Sequence, residues 1–235
     1  MDRRHFAFAA ASLLALAQAP SALAARQKAP TTWDGLVRVK SKRLDYVYLL
    51  PGADFRGYTK VMLDPTELAF EKNWLRDYNS SRMGLSGRLT ERDVREAIAK
   101  AAPVAGEILA EACREGGYPV VTEGGPDVLR LRTGVVNISV NAPDVNTAAR
   151  SRSFAGEAGY ATLVVEVRDS VSGAMLGRAV DGKIAGDNGA LIRNRVTNRS
   201  DFRQIMKRWA STSVQGLSEL KAQSPINDQG VARAG

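Results

Sequence analysis

The sequence has a single histidine, His5, and a single cysteine, Cys113. A disulfide within the chain is therefore excluded, and so is any Cys-rich or His-rich metal site. Aromatic residues make up only 6%, and no apolar run reaches the ~20 residues that a helix needs to cross a bilayer. There is no Asp-x-Asp-x-Asp-Gly loop for Ca²⁺ and no Gly-Lys-Ser/Thr phosphate loop. Gly156-Glu-Ala-Gly159 is too short to cradle a phosphate, and its strand follows rather than precedes it. Neither a metal, a nucleotide nor any other cofactor is expected.

What is present suits a globular domain. With 44% hydrophobic and 25% charged residues, the chain can build a core, which argues against a collagenous or disordered polymer. Thirty-three Lys and Arg against 25 Asp and Glu give a formal charge of +8.

Residues 1–24 read as an export signal. Arg3 and Arg4 form the charged start, Ala7 to Ala17 the apolar stretch, and Ala22-Leu23-Ala24 the small-x-small cleavage pattern. Arg3-Arg4-His5-Phe6 also resembles the twin-arginine motif, although Asp2 stands where Ser or Thr is usual and Ala7-Phe8 where Leu-Lys is common. The general secretory and twin-arginine routes both stay open, and either leads to the periplasm. No Cys lies at the cleavage site, so no lipid anchor is expected. Cleavage at Ala24 removes His5 and, with Asp2, Arg3 and Arg4, lowers the charge from +8 to +7. The mature chain then has no imidazole, which Ser-His-Asp and Cys-His catalysis and HExxH zinc sites all require.

The rest divides into a polar lead-in at 25–45, a single domain at 46–222 and a small, polar, disordered tail at 223–235. The lead-in includes the basic stretch Arg38, Lys40, Lys42 and Arg43. Tyr46 to Leu50 is an apolar run stopped by the Pro51-Gly52 turn. Tyr58 to Asp64 is a strand that Pro65 ends or places at an edge, Thr66 to Phe70 continues it after a bend, and Asn79 to Gly87 is a loop.

Thr90 caps a helix with Asp93 completing an acidic capping box, Pro103 kinks or splits it, and Gly116-Gly117 ends it. Tyr118 to Val121 is a short strand. In the next, Leu129, Leu131 and Thr133 alternate with Arg130 and Arg132, but beyond Gly134 the apolar set becomes Val136, Ile138 and Val140. That shift of phase predicts a β-bulge near Gly134.

Asn141 to Gly159 reads as a loop. Leu163, Val165 and Val167 then lead into a hairpin with Asp169-Ser-Val-Ser-Gly173 as its turn and Met175 to Val180 as its return. Asp181 to Asn198 reads as a further loop. A final helix capped by Ser200 lines up Phe202, Ile205, Met206, Trp209, Ser213, Gly216 and Leu217. The expected fold is α+β: a mixed, mostly antiparallel sheet of about five strands with two main helices on one face.

Few residues suggest chemistry. Ser218 and Lys221 have Ser-x-x-Lys spacing but sit in the last turn of a terminal helix beside Glu219, where they read as surface residues. Asp64 and Glu67, with Glu71 and Trp74 nearby, are the best carboxylate pair for a hydrolase. Cys113 lies on an apolar helix side and reads as core.

The dispersed positive charge, outside the cytoplasm, argues against nucleic acid. Its densest part, Arg193, Arg195 and Arg199, offers contacts for anionic lipid head groups or lipopolysaccharide phosphates. An exposed sheet edge at Pro65 would offer a route to self-association; the oligomeric state itself is open.

Several segments together resemble an uncharacterised family of bacterial envelope proteins, a domain-of-unknown-function family known as predicted periplasmic proteins and lipoproteins. They are Tyr48-Leu-Leu-Pro-Gly-Ala-Asp-Phe55 leading into Tyr58-Thr-Lys-Val-Met-Leu-Asp-Pro65, Gly125-Pro-Asp-Val-Leu-Arg-Leu-Arg132, Ala161 to Asp181 and the Trp209 helix. The resemblance implies an exported α/β domain with no assigned activity and no catalytic residues to carry over. It also implies a distant similarity to envelope assembly and export accessory domains, which bind partners rather than catalyse. The lipobox Cys common in that family is absent here, so tethering is not implied.

The expectation is thus a periplasmic, non-catalytic binding or accessory protein whose partner is an envelope protein or an anionic envelope component. The alternative is a carboxylate-dependent hydrolase of an envelope polymer.

Overall fold

The computed structural model describes residues 29–80, 88–140, 153–155, 159–185, 191–193 and 195–227. The signal segment with Ala22 and Ala24, most of the loop 141–158 and the tail beyond Asn227 lie outside the described residues.

Two long strands form the central hairpin, β9 (Gly159–Asp169) and β10 (Met175–Ala185). Their turn closes as its residue types dictate. Asp169 Oδ1 accepts hydrogen bonds from the amides of Val171 and Ser172 and from Ser172 Oγ, and Gly173 adopts φ 72°. A register shift between Met175 and Gly177 completes the bulge. β10 runs on to Ala185, so the first residues read as a loop after Val180 belong to the sheet.

Against β9 lies β7 (Val128–Val140), antiparallel along almost its whole length. Leu129, Leu131 and Val135 join Leu163, Val165 and Val167 in the main core. The expected bulge is real but misplaced. Pairing is regular through Gly134 and Val136, and it slips between Val136 and Ser139, where Asn137 takes φ 52°. Val136 looked out of phase because it faces the other side of the sheet, where it packs with Val164, Val180, Trp33 and Tyr46. Two apolar faces, not a bulge, produced the change at Gly134.

Around this centre the sheet has, among the described residues, nine strands rather than about five. In order they are β1 (Thr32–Trp33), β2 (Leu36–Val39), β3 (Tyr46–Leu49), β10, β9, β7, β4 (Lys60–Leu63) and β6 (Val120–Val121). β5 (Glu67–Phe70) continues along β7 past Pro65. β4 and β5 are parallel to β7, β6 is parallel to β4, and the other pairs are antiparallel. The lead-in therefore supplies β1 and β2. Strands of two to four residues are too short for alternation to reveal them. A separate two-stranded sheet joins β8 (Ser153–Ala155) to β11 (Leu191–Arg193).

Among the described residues there are three helices: α1 (Trp74–Ser80), α2 (Glu91–Glu115) and α3 (Arg195–Gln223). α1 takes in Asn79 and Ser80, expected in a loop, because Trp74 and Tyr78 bury themselves with Leu89. In α2 the Thr90–Asp93 capping box is complete. Pro103 does not split the helix: it lies on the exposed side, where water can satisfy the Ala99 carbonyl that loses its donor. α3 begins at Arg195, five residues before the expected cap, so Ser200 is internal.

α2 and α3 cover the main core face through Ala105, Ile108, Leu109 and Cys113 from one, and Ile205, Met206, Trp209, Val214 and Leu217 from the other. The start of the expected tail is fixed as well. Ile226 is buried, its amide donates to the Ala53 carbonyl at 2.8 Å, and its carbonyl accepts from Gly52 at 3.0 Å.

Candidate functional site

The outward sheet face is a ladder of charge. In one transverse row Arg38, Tyr48, Arg178, Glu166 and Arg132 stand opposite one another on β2, β3, β10, β9 and β7. Arg178 and Glu166 are each only 3% exposed and meet at 2.8 Å. Arg178 also reaches Asp34 at 2.9 Å and lies 4.1 Å from the Trp33 ring centre, while Arg168 reaches Glu166 at 3.0 Å. Burial alone would raise the Glu166 pKa; the hydrogen bonds from Arg178 and Arg168 outweigh it and hold the carboxyl below its ordinary range.

The candidate acids belong to this ladder. Asp64 accepts from Arg130 and Glu67 from Arg132, each at 2.8 Å. Each carboxylate is thus committed to its own guanidinium rather than to its neighbour across a cleft. Glu71 accepts from the Tyr160 hydroxyl, and Trp74 Nε1 donates to the Val140 carbonyl.

Ser218 and Lys221 do not engage each other. Ser218 Oγ donates to the Val214 carbonyl, whereas Lys221 Nζ donates to the Tyr58 carbonyl across the helix–sheet junction. Cys113 is fully buried in the core, and desolvation pushes its thiol up to about 11. Among the described residues, no group of His, Cys, Asp and Glu could hold a metal.

The arrangement best suited to binding lies elsewhere, between the start of α3 and the bulged end of β7. A small apolar pocket of roughly 90 Å³, partly open to solvent, is walled by Val135, Ile138, Val140, Phe202, Ile205 and Trp209, with Ser139, Tyr160 and Asp201 among its polar residues. That space is smaller than a site for a drug-sized ligand and suits a small apolar group.

The backbone shapes the opening. The bulge at Asn137 re-aims the end of β7, and Gly159 at φ 149° lets β9 pass against it. A Cβ at Gly159 would run into the Ser139 carbonyl oxygen, so no other residue fits there.

The pocket floor is fixed from behind. Trp209 Nε1 donates to Asp181 Oδ2 at 2.8 Å, Lys183 pairs with the same carboxylate at 2.9 Å, and the Asp45 amide donates to its other oxygen. At the rim, burial and a hydrogen bond to Glu71 push the Tyr160 phenol up to about 12.

Arg193, Arg195 and Arg199 are not in one loop. Arg193 ends β11, while Arg195 and Arg199 lie in the first turns of α3, immediately before the pocket residues Asp201 and Phe202. No helix among the described residues is long and apolar enough to cross a membrane.

Sequence reasoning placed Phe202, Ile205 and Trp209 on one helix face but missed the pocket beside them. Asp181 and Tyr160 carried no signal of their own; only the continued alternation after Val180 could have revealed Asp181 as a strand residue.

A family model described as "Protein of unknown function (DUF3313)" matches residues 26–213. No curated protein is significantly similar to the chain. Solved structures that resemble it include the PelC dodecamer from Paraburkholderia phytofirmans, at 12% identity and a TM-score of 0.37, covering 73% of this chain and 95% of that one. A DUF330 protein from Xanthomonas campestris shows 9% identity and a TM-score of 0.38, with 74% and 91% covered. A putative neuraminyllactose-binding hemagglutinin homolog from Helicobacter pylori shows 13% identity and a TM-score of 0.27, with 72% and 85% covered.

Proposed function

The chain belongs to that DUF3313 family of proteins of unknown function, and on this premise we propose that it is an exported, periplasmic, non-catalytic binding or accessory protein of the cell envelope. The observation that carries this reading is the pocket beneath α3, whose lining is overwhelmingly apolar and whose Trp209 floor is locked by Asp181. Such a site binds an apolar group by burial and offers it no positioned acid, base or nucleophile.

The carboxylate-dependent hydrolase is the weaker reading, because Asp64 and Glu67 are each engaged by an arginine on an open sheet face. A glycosidase pair needs room for substrate between its two acids.

An environment-sensitive apolar dye tests the pocket. It binds the full chain and approaches Trp209 closely enough to quench its emission. Ala161→Leu, which fills the lining, weakens dye binding roughly tenfold while leaving the unfolding midpoint within a few degrees. Dye affinity unchanged by the filling would remove the pocket from the proposal. Export is checked by fractionating cells and determining the mature N-terminus, expected just after Ala24. A full-length cytoplasmic product would sink the periplasmic assignment.

A further inference from the structure

We propose that the exposed face of α3 docks the protein on an anionic phospholipid surface. The inference rests on the envelope reading above, which sets the chain beside lipid and away from nucleic acid.

Along α3 between Ser200 and Ser218 the solvent-exposed side chains include Arg203, Lys207 and Arg208 with the neutral Gln204, Ser211 and Gln215, and no carboxylate. None of the three cations has an ion pair or hydrogen bond among the described residues. The nearest acid in sequence, Asp201, is half-buried at the pocket and already engaged.

The contrast with the cations of α2 and of the central strands is clear. On α2, Arg92, Arg95 and Lys100 are matched by Glu91 and Glu96, and the sheet pairs Arg130, Arg132, Arg168 and Arg178 with carboxylates.

Spacing adds to the argument. Arg195, Arg199, Arg203 and Lys207 recur every four residues of one helix. Like charges at that interval repel each other and weaken the helix, so the pattern works against folding unless an anion meets it.

The chemistry of that anion follows from the shape. From Arg195 to Arg208 the helix runs about 20 Å, and Arg203, Lys207 and Arg208 stand on its convex solvent side, not in a cradle. A single phosphate would engage one or two of them. A surface with repeated negative charges engages the whole row, and each cation near such a surface adds independently to the attraction.

Co-sedimentation of the full chain with vesicles tests the proposal. Because the apolar run Ala7 to Ala17 would itself partition into lipid, phosphatidylcholine vesicles set the baseline and phosphatidylglycerol is added to others. The wild-type chain partitions more strongly into the anionic vesicles, and the excess falls as salt is raised. The triple variant Arg203→Glu, Lys207→Glu, Arg208→Glu loses on the order of 100-fold of that excess, and the corresponding triple Gln variant loses part of it. All three positions are exposed, so both variants retain the helical signal and unfolding midpoint of the wild type.

Equal binding to the two vesicle types, indifference to salt, or a Glu variant that binds anionic vesicles as well as the wild type would each overturn the proposal. Dye binding separates it from the pocket: a charge variant that keeps the dye but loses the vesicles supports docking as a distinct property. A wild type that binds anionic vesicles selectively but no dye strikes the pocket and leaves docking standing.

Discussion

Arg178 and Glu166 show what a buried pair costs when one partner is lost. Both are buried, Arg178 against the Trp33 ring, and each has further bonds that fix its orientation, to Asp34 and Arg168 respectively. Removing the carboxylate charge leaves a guanidinium in a dry place without its main partner. Glu166→Gln therefore lowers unfolding free energy by roughly 3 kcal/mol, read as a shifted urea midpoint. Arg178→Lys fares little better, because an ammonium cannot reach Asp34 and Glu166 at once while stacking on Trp33.

At this scale sequence reading went halfway. The alternation of Arg130 and Arg132 with Leu129 and Leu131 showed that two arginines faced outward. It could not show their partners, Asp64 just past β4 and Glu67 at the start of β5, more than sixty residues earlier in the chain.

Elements were legible where a local pattern decided them and obscure where a distant one did. The Asp169–Gly173 turn and the Thr90 capping box depend on side chains within a few residues of each other, and both form as their residue types require. β1, β2 and the tail around Ile226 exist only because β3 and the Gly52 turn offer them pairing. The bulge of β7 is an intermediate case: its presence was written in the apolar pattern, but its position was displaced by the second apolar face.

Gly159 is where this element can be tested. Gly159→Ala imposes both an unfavourable positive φ and a collision with the Ser139 carbonyl, and costs about 3 kcal/mol. Because the adjustment falls on the pocket wall, dye affinity drops along with stability. A variant that loses stability but retains dye affinity would separate the bulge from the pocket.

For the whole molecule, the titrating groups define a plateau of stability. Glu166 and Asp169 are held below their ordinary values, the latter by hydrogen bonds from the Ser172 amide and hydroxyl and from Tyr58. Their contribution is present above the usual carboxylate range and is lost as pH falls through the lowered values. On the alkaline side, burial of Cys113 moves it from 9.0 to about 11. Burial and hydrogen bonds to Asp169 and Glu71 move Tyr58 and Tyr160 from 10.0 to about 12. Groups raised in this way stabilise the fold below their ordinary pKa and cease to do so as pH rises through the raised one. Urea midpoints should hold roughly level between about pH 5 and 9 and fall on both sides. A midpoint still rising at pH 11 would contradict the tyrosine environments.

The layer arrangement, a main sheet with α2 and α3 on one face, could be inferred from the order of strong elements. The pocket could not, since it forms where β7, β9 and α3 converge and no one of them encodes it.

The clasp of Ile226 on Gly52 and Ala53 ties the segment after α3 to the turn that follows β3, while β2, with β1 beyond it, borders β3 on the side away from β10. The β1–β2 margin and the Ile226 segment therefore both hang on β3 and the turn after it. Tension drawn between them would be borne at this seam first, peeling away Ile226 and the β1–β2 margin. The β9–β10 hairpin and the helix layer, with the pocket between them, would stay unloaded until the seam had parted.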